Sequence, residues 1–266
     1  MQGKDKIKLK MKVQKLSVII IAKDEEENIK DCLESVKWAE EIVVVVDDRT
    51  TDKTAEIAKK YTDKVFRHRF EGFGKQCQYA LRQAQGDWVL KLDADERITP
   101  ELKKEILEKI ELKEFVGFHT FFHTWFLGKE LILPKKGVQG TVRLFKREKA
   151  HFLPVKVHER VEVEGKVGIL ENRILHYSHR TFFQTMGKFN LYTSYEAEEL
   201  FKAGGRTNLF FIFLVPFYYF IKQLFSWGAW RQGRYGIIMG MMAGMYHLLK
   251  HLKIWELQQK NEICFS

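Results

Sequence analysis

Between Leu16 and Asp95, short apolar runs alternate with stretches in which apolar residues recur every three or four positions. The first run, Leu16 to Ala22 (LSVIIIA), predicts a buried strand. Asp24-Glu25-Glu26-Glu27 follows it, an N-cap aspartate with a glutamate three residues on, which is the arrangement of a capping box. Ile29, Cys32, Leu33 and Val36 then share one face of a helix. Ile42 to Val46 (IVVVV) is an unbroken β-branched run and predicts a parallel strand covered on both faces. A second helix is expected over Thr54 to Lys60, a short strand near Val65, and a further helix near Lys75 to Ala84. Trp88 to Leu92 (WVLKL) is the next strand. Thr99-Pro100 supplies the cap and first residue of a helix with Leu102, Ile106, Leu107 and Ile110 facing inward.

Repeated βα units imply a mostly parallel sheet with helices on both sides. Ligands of such sheets bind beyond the carboxyl ends of the strands, which directs attention to the residues after Ala22, Val46 and Leu92. After about Phe115 the helical period is lost, and FVGFHTFFHTWF, VRLFKRE and VKVHERVEVEGKVGI read as a β-rich region with polar, Gly-containing turns. From about Phe182 the chain is helical and aromatic-rich, with apolar stretches at 209–221 and 235–249. The expected organisation is a basic segment over 1–15, an α/β catalytic domain over 16–181 and a helical region over 182–266, with no internal repeat.

The strand ends carry the candidate chemistry. Asp93-Ala94-Asp95-Glu96 directly follows WVLKL. Carboxylates one residue apart on a turn reach the same hard cation through oxygen. Such a cation bridges a diphosphate and offsets charge on a departing nucleotide. The plainer alternative is an acidic loop that opens the next helix. In Asp47-Asp48-Arg49-Thr50-Thr51-Asp52, Thr51 or Asp52 suits a helix cap. Asp47 ends a buried strand, where a carboxylate can accept a hydrogen bond from a nucleobase or ribose.

In order and spacing, SVIIIAKDEEENI, VVVVDDRTTDKT, FEGFGKQCQYAL and WVLKLDADERITPEL resemble the family 2 glycosyltransferases of GT-A fold, over roughly residues 16 to 180. The resemblance implies a Rossmann-like sheet with flanking helices and a nucleotide-sugar donor. It gives Ala22, Lys23, Asp24, Glu25 and Asp47 to the nucleotide base, and Asp93 and Ala94 to the ribose and metal region. Asp95 would bind a divalent metal, Mg²⁺ or Mn²⁺. Phe70 to Gln76, with Lys75 and Gln76, would be a flexible piece closing over the nucleotide. Within the family the chain is similar to the bacterial lipopolysaccharide-core branch, which adds β-linked glucose to an inner-core heptose. The run Gly72 to Gln78 and the helical tail carry that match, and Cys77 departs from it by standing where a basic residue is usual. The tail has no QxxRW motif of the processive relatives, which favours addition of one sugar.

An inverting transfer needs a base for the acceptor hydroxyl. The family places it in the β-rich region after the metal motif, where His158-Glu159 stands. Glu159 is therefore the expected base and Glu96 the second candidate, with pairing to Lys156 or Arg160 as the alternative role for Glu159. Arg143 and Lys146 offer positive charge to a diphosphate, or are surface strand cations. His176 and His179 are candidates for a metal ligand or for orienting the acceptor, or are structural.

The net charge of +10 asks for an anionic partner. It comes with no RNP-like, zinc-finger or helix-turn-helix signature, so nucleic acid is not the expected one. Cys32, Cys77 and Cys264 are scattered and give neither a disulfide framework nor a zinc site, which indicates a reduced compartment. The basic N-terminus lacks the apolar region of a signal peptide, so the catalytic part is expected in the cytoplasm. The stretch 209–221 is short for a membrane span and contains Pro216, while 235–249 carries His247. Trp227 and Trp230 alternate with Lys222, Arg231 and Arg234, an interfacial composition. The expected site of action is the cytoplasmic face of the bacterial inner membrane, with the tail peripheral or monotopic on an anionic membrane surface. A UDP-sugar donor and a lipid-linked saccharide acceptor complete that expectation. Transfer to polyprenyl phosphate, a catalytically silent scaffold, and a tail that merely packs as core helices are the other readings.

Overall fold

The structure, a computed structural model, describes residues 14–131, 140–157, 159–179, 181–225 and 228–265. Most of the basic N-terminal segment, His158, Arg180, Trp227 and the side chains of His179 and Cys264 lie outside the described residues.

The first half of the chain folds as its periodicity dictates. Strand β1 (Leu16–Ala22) is buried along its whole length and leads to helix α1 (Ile29–Val36), whose Ile29, Cys32, Leu33 and Val36 face inward. Then come β2 (Glu41–Asp47), α2 (Thr54–Ala58), β3 (Val65–His68), α3 (Phe73–Gln83) and β4 (Trp88–Asp93). These strands lie in the order β3-β2-β1-β4, all parallel. Alternate residues feed opposite faces. Val18, Ile20, Val44 and Leu90 pack against α1, and Ile19, Ile21, Val43 and Val45 pack against Cys77, Ala80 and Leu81 of α3. Ala22 is level with Val46, and Ile21 with Asp93, so the three strand ends share one edge.

Beyond β4 the sheet is mixed, and the mostly parallel sheet expected holds only for its first four strands. β5 (Glu96–Arg97) and α4 (Pro100–Lys109) precede β6 (Gly117–Phe126), β7 (Lys129–Leu131), β8 (Thr141–Lys146), β9 (Ala150–Phe152), β10 (Val161–Val163) and β11 (Val167–His179). The sheet continues β4-β8-β6-β11-β5, with β8 antiparallel to both neighbours and β6 parallel to β11.

Two local expectations are corrected. Asp24 does not open a capping box: it takes a left-handed φ of 51° and its Oδ1 accepts the Thr51 N–H at 2.9 Å. The chain turns there, Glu25 O accepts the N–H groups of Asn28 and Ile29, and α1 starts after Asn28 without a side-chain cap. Leu107 is exposed, because Leu102, Ile106 and Ile110, spaced by four, already fill the inward stripe of α4. Thr99 does cap α4, its Oγ1 accepting the Leu102 N–H at 3.2 Å, and Asp52 accepts the Thr54 N–H at the start of α2.

The tail comprises α5 (Phe182–Lys202), α6 (Leu209–Phe225) and α7 (Arg234–Phe265). A Cβ on Gly240 would lie 3.0 Å from the Phe220 ring and one on Gly244 would lie 3.0 Å from Pro216 O, so glycines let α6 and α7 approach closely. Glu196 of α5 accepts from Tyr246 Oη (2.5 Å) and Lys250 Nζ (3.0 Å) of α7, and Lys253 Nζ donates to Thr193 and Ser194 at 2.8 Å each. Among the described residues, no helix is long and apolar enough to cross a membrane.

Candidate active site

A cavity of about 440 Å³ opens at the shared carboxyl edge of β1, β2 and β4. Ile21, Ala22, Lys23, Glu25, Asp47 and Arg49 form its wall at the β1 and β2 ends. Asp93, Ala94 and Asp95 lie at the end of β4, with Gln76 from α3. Glu159, His176, Ser178, Lys188, Tyr192 and Tyr195 add further polar groups to its lining.

Asp47 is buried, and its carboxylate accepts from Arg49 Nε at 3.1 Å and Nη2 at 2.7 Å. Burial works against ionisation, but the guanidinium and the Arg49 N–H outweigh it and hold Asp47 below the usual carboxylate range. Gln76 is held by His68, with Oε1 2.9 Å from Nδ1.

Behind the cavity lies an ion-pair network. Lys91, in the middle of β4, is 1% exposed, and its Nζ donates to Asp93 Oδ1 at 2.6 Å and Glu159 Oε1 at 2.5 Å. Arg143 of β8 donates to Asp93 Oδ2 at 3.0 Å, Glu96 Oε1 at 3.2 Å and Glu159 Oε1 at 3.5 Å. Burial opposes charge on Asp93, but Lys91 and Arg143 overcome it and keep its carboxyl far below the ordinary value. Glu96 is fully buried and accepts the Asp93 N–H at 2.9 Å. Burial, only partly offset by Arg143, pushes its carboxyl up to about 7.

Asp95 is held from the other side. Its Oδ2 accepts from Lys188 Nζ at 3.0 Å, and His176 Nε2 lies 3.5 Å from Oδ1. Its carboxyl is driven down against burial by His176 and Lys188, and the His176 imidazole is raised against burial by Asp95. Glu25 is raised by burial and then by the nearby Asp95.

The structure therefore gathers most of the residues expected at the site, with exceptions. Asp24 is engaged by Thr51, and Lys75 points to solvent beside Glu71, 2.8 Å away. Glu96 and Arg143 stand behind the wall, and Lys146 lies over the Trp88 ring at the far end of β4. Cys77 is buried against the sheet with its thiol raised to about 12 by burial, and it lines no part of the cavity. In the Phe70 to Gln76 segment, Phe73 N donates to Lys156 O at 3.1 Å and Gly74 N to Val155 O at 3.0 Å, and Phe70, Phe73 and Gln76 line the cavity. A Cβ on Gly74 would sit 1.8 Å from Leu153 O, so only glycine admits this contact between α3 and the segment leading to Glu159.

Sequence reasoning missed Arg49, Lys91 and the contribution of α5. The signal for Lys91 was a lysine inside a run buried on both faces. Lys188, Leu191, Tyr192 and Tyr195 of α5 all line the cavity, and their spacing of three, four and seven is one face of a helix.

With this cleft at the carboxyl end of a GT-A-like mixed sheet, residues 17–163, more than half the chain, match the family described as "Glycosyl transferase family 2". The protein belongs to that family and is a glycosyltransferase. It is 30% identical over 249 residues to the "Lipopolysaccharide core biosynthesis glycosyltransferase LpsC" of Rhizobium meliloti, covering 91% of this chain and 92% of that one. It is 27% identical to an uncharacterized glycosyltransferase of Rickettsia typhi, over 94% of this chain and 89% of the relative. Among solved structures, S. aureus TarS 1–349 in complex with UDP-GlcNAc is similar over 70% of this chain and 66% of its own, with 20% identity and a TM-score of 0.49.

Proposed function

We propose that this chain transfers one sugar, glucose from UDP-glucose, with inversion, onto a lipid-linked saccharide such as the lipopolysaccharide inner core. The observation that carries this reading is the cavity in which Asp47, Asp93 and Asp95 at the strand ends face Glu159. Family membership and the lipopolysaccharide-core relative supply the reaction class.

In this reading Ala22, Lys23, Glu25 and Asp47 hold the nucleotide, with Gln76 beside it, and Asp93 meets the ribose. Glu159 takes the proton of the attacking hydroxyl from the acceptor side, oriented by Lys91 and Arg143. Among the described residues, no group of three or more His, Cys, Asp and Glu side chains forms a closed metal cage. Mg²⁺ and Mn²⁺ sites that are completed by substrate phosphates need only one or two protein carboxylates. Asp95 on the cavity wall, with Asp93 beside it and His176 next to its Oδ1, fits that requirement. A divalent ion bound there would offset charge on the departing nucleotide.

The membrane face of the proposal rests on α6, whose Leu209, Phe210, Phe213 and Phe217 are all more than half exposed. Rings in solvent beside Lys222, Arg231 and Arg234 suit the headgroup region of an anionic bilayer. The tail then lies on the cytoplasmic face of the inner membrane without crossing it.

The test is mass spectrometry of products from purified protein, Mn²⁺, a panel of UDP-sugars, and either truncated lipopolysaccharide core or polyprenyl phosphate as acceptor. One hexose added to the core lipid supports the reading. Transfer to polyprenyl phosphate alone overturns the acceptor, and no transfer from any UDP-sugar overturns the donor. Flotation with anionic liposomes tests the tail. Substituting Phe210, Phe213 and Phe217 together by serine should abolish flotation at high salt, where screening has removed the charge contribution. Unchanged flotation would refute it.

A further inference from the structure

The strongest unassigned feature of the cavity is a cation that the family match over 17–163 does not include. Lys188 sits on the second turn of α5, and its ammonium donates to Asp95 Oδ2 at 3.0 Å and to Ser178 O at 3.5 Å. Its side chain is 34% exposed, against 7% for Asp95, so it reaches the carboxylate from the open side of the cavity. The two carboxylates of the Asp93-Ala94-Asp95 turn are thus neutralised differently. Asp93 is held from behind by Lys91 and Arg143, both almost fully buried, while Asp95 is held by an ammonium on a flexible stem that faces the donor space. A lysine is a point charge that can exchange partners without the fixed fork an arginine requires.

We infer that Lys188 is an exchangeable counter-cation: it occupies Asp95 in the empty enzyme, yields it to a divalent ion, and turns to the donor diphosphate. This rests on the metal-dependent reading above. Three of the five cavity-lining carboxylates, Glu25, Asp93 and Asp95, lie nearest Lys188's end of the cavity, where a diphosphate would bring more negative charge. A fixed ammonium at Asp95 would exclude the metal ion. A mobile one keeps the empty site neutral and then supplies charge to the phosphates. The helix that carries Lys188 is bonded to α7 further along, through Lys253 to Thr193 and Ser194 and Lys250 to Glu196.

The proposal predicts opposite changes in two binding measurements on one variant, which loss of structure would not produce. Mn²⁺ uptake is measured by the electron paramagnetic resonance of the free ion, without nucleotide. UDP affinity is measured by calorimetry at saturating Mn²⁺. Lys188→Met should bind Mn²⁺ about tenfold more tightly, because a charge-assisted competitor for Asp95 is gone. The same variant should bind UDP about tenfold more weakly. Lys188→Gln, which keeps a donor for Asp95 without its charge, should show the same pair of shifts if Lys188→Met is poorly folded. Lys188→Arg should restore UDP affinity more than Mn²⁺ competition. Mn²⁺ affinity unchanged or weakened in both neutral variants, with wild type binding Mn²⁺, overturns the counter-cation role alone. Absence of Mn²⁺ uptake by wild type and variants alike overturns the metal reading, and this proposal with it.

Discussion

Replacing Lys91 by methionine tests the buried network that stands behind the cavity. The side chain is nearly isosteric, so β4 should keep its packing against β1 and β8, and only the ammonium disappears. That ammonium lies 2.6 Å from Asp93 and 2.5 Å from Glu159. Removing one partner of a buried ion pair costs about 3–5 kcal/mol, because the remaining charge is left uncompensated. Here Arg143 stays 3.0 Å from Asp93 and 3.5 Å from Glu159, so neither carboxylate is orphaned, and the lower end applies. A loss of about 3 kcal/mol in a chain of this size lowers Tm by roughly 6–12 °C. The assay is thermal unfolding at pH 7 followed by circular dichroism, with urea unfolding to give ΔG at 25 °C. The double variant Lys91→Met/Glu159→Gln should be sub-additive by about 1 kcal/mol, since the second change removes a charge the first left underpaired. A Lys91→Met protein as stable as wild type, or strict additivity in the cycle, would refute the account of Lys91 as the charge that makes two buried carboxylates tolerable.

Glu159→Gln should leave UDP affinity within about twofold and lower kcat by roughly 10²–10⁴, measured by steady-state kinetics and calorimetry; a main effect on UDP binding would place it on the donor side. Asp95→Asn should keep the fold, because Lys188 can turn to solvent, yet lose roughly a hundredfold or more in kcat/KM and most Mn²⁺ uptake. Full turnover by that variant in chelator would dismiss its role. His247 stacks on Tyr219 and, through burial and then Lys250, has its imidazole pushed down to about 4. A depressed folded value means stability present above the unfolded value of about 6.5 and lost as pH falls towards 4. Tm should therefore drop between pH 7 and 4.5 by more in wild type than in His247→Phe, and equal drops would show that His247 does not contribute.

The parts of this protein visible in its sequence are those whose cause is local or periodic. LSVIIIA, IVVVV and WVLKL specify buried strands, and the rule that ligands sit at strand ends then brings Ala22, Asp47 and Asp93 together without any knowledge of the sheet order. The burial of Glu96 was not legible, because nothing local distinguishes a carboxyl facing the cavity from one turned beneath Arg143. The capping box failed for a similar reason: the partner of Asp24 is the N–H of Thr51, 27 residues on, and the backbone bends to meet it. The mixed second half of the sheet depends on long-range pairing of β6 with β11, which alternation alone does not encode. Lys188 is the instructive omission, since the helical spacing of Lys188, Leu191, Tyr192 and Tyr195 was legible while the surface that face would cover was not.

Because α5 is both a wall of the cavity and a helix clasped by α7, the chemistry and the tail are one mechanical body. This has a practical consequence for any purification. Detergent molecules will collect on the bare rings of α6, and a micelle that pries α6 from α7 would pull on Lys250 and Lys253, and so on Lys188. Such a detergent would act as an inhibitor without resembling any substrate. Its onset would track the critical micelle concentration, its effect would not be relieved by more UDP-sugar, and exchange into bilayer discs would reverse it. A preparation judged inactive in detergent would then have lost the placement of one lysine rather than its fold.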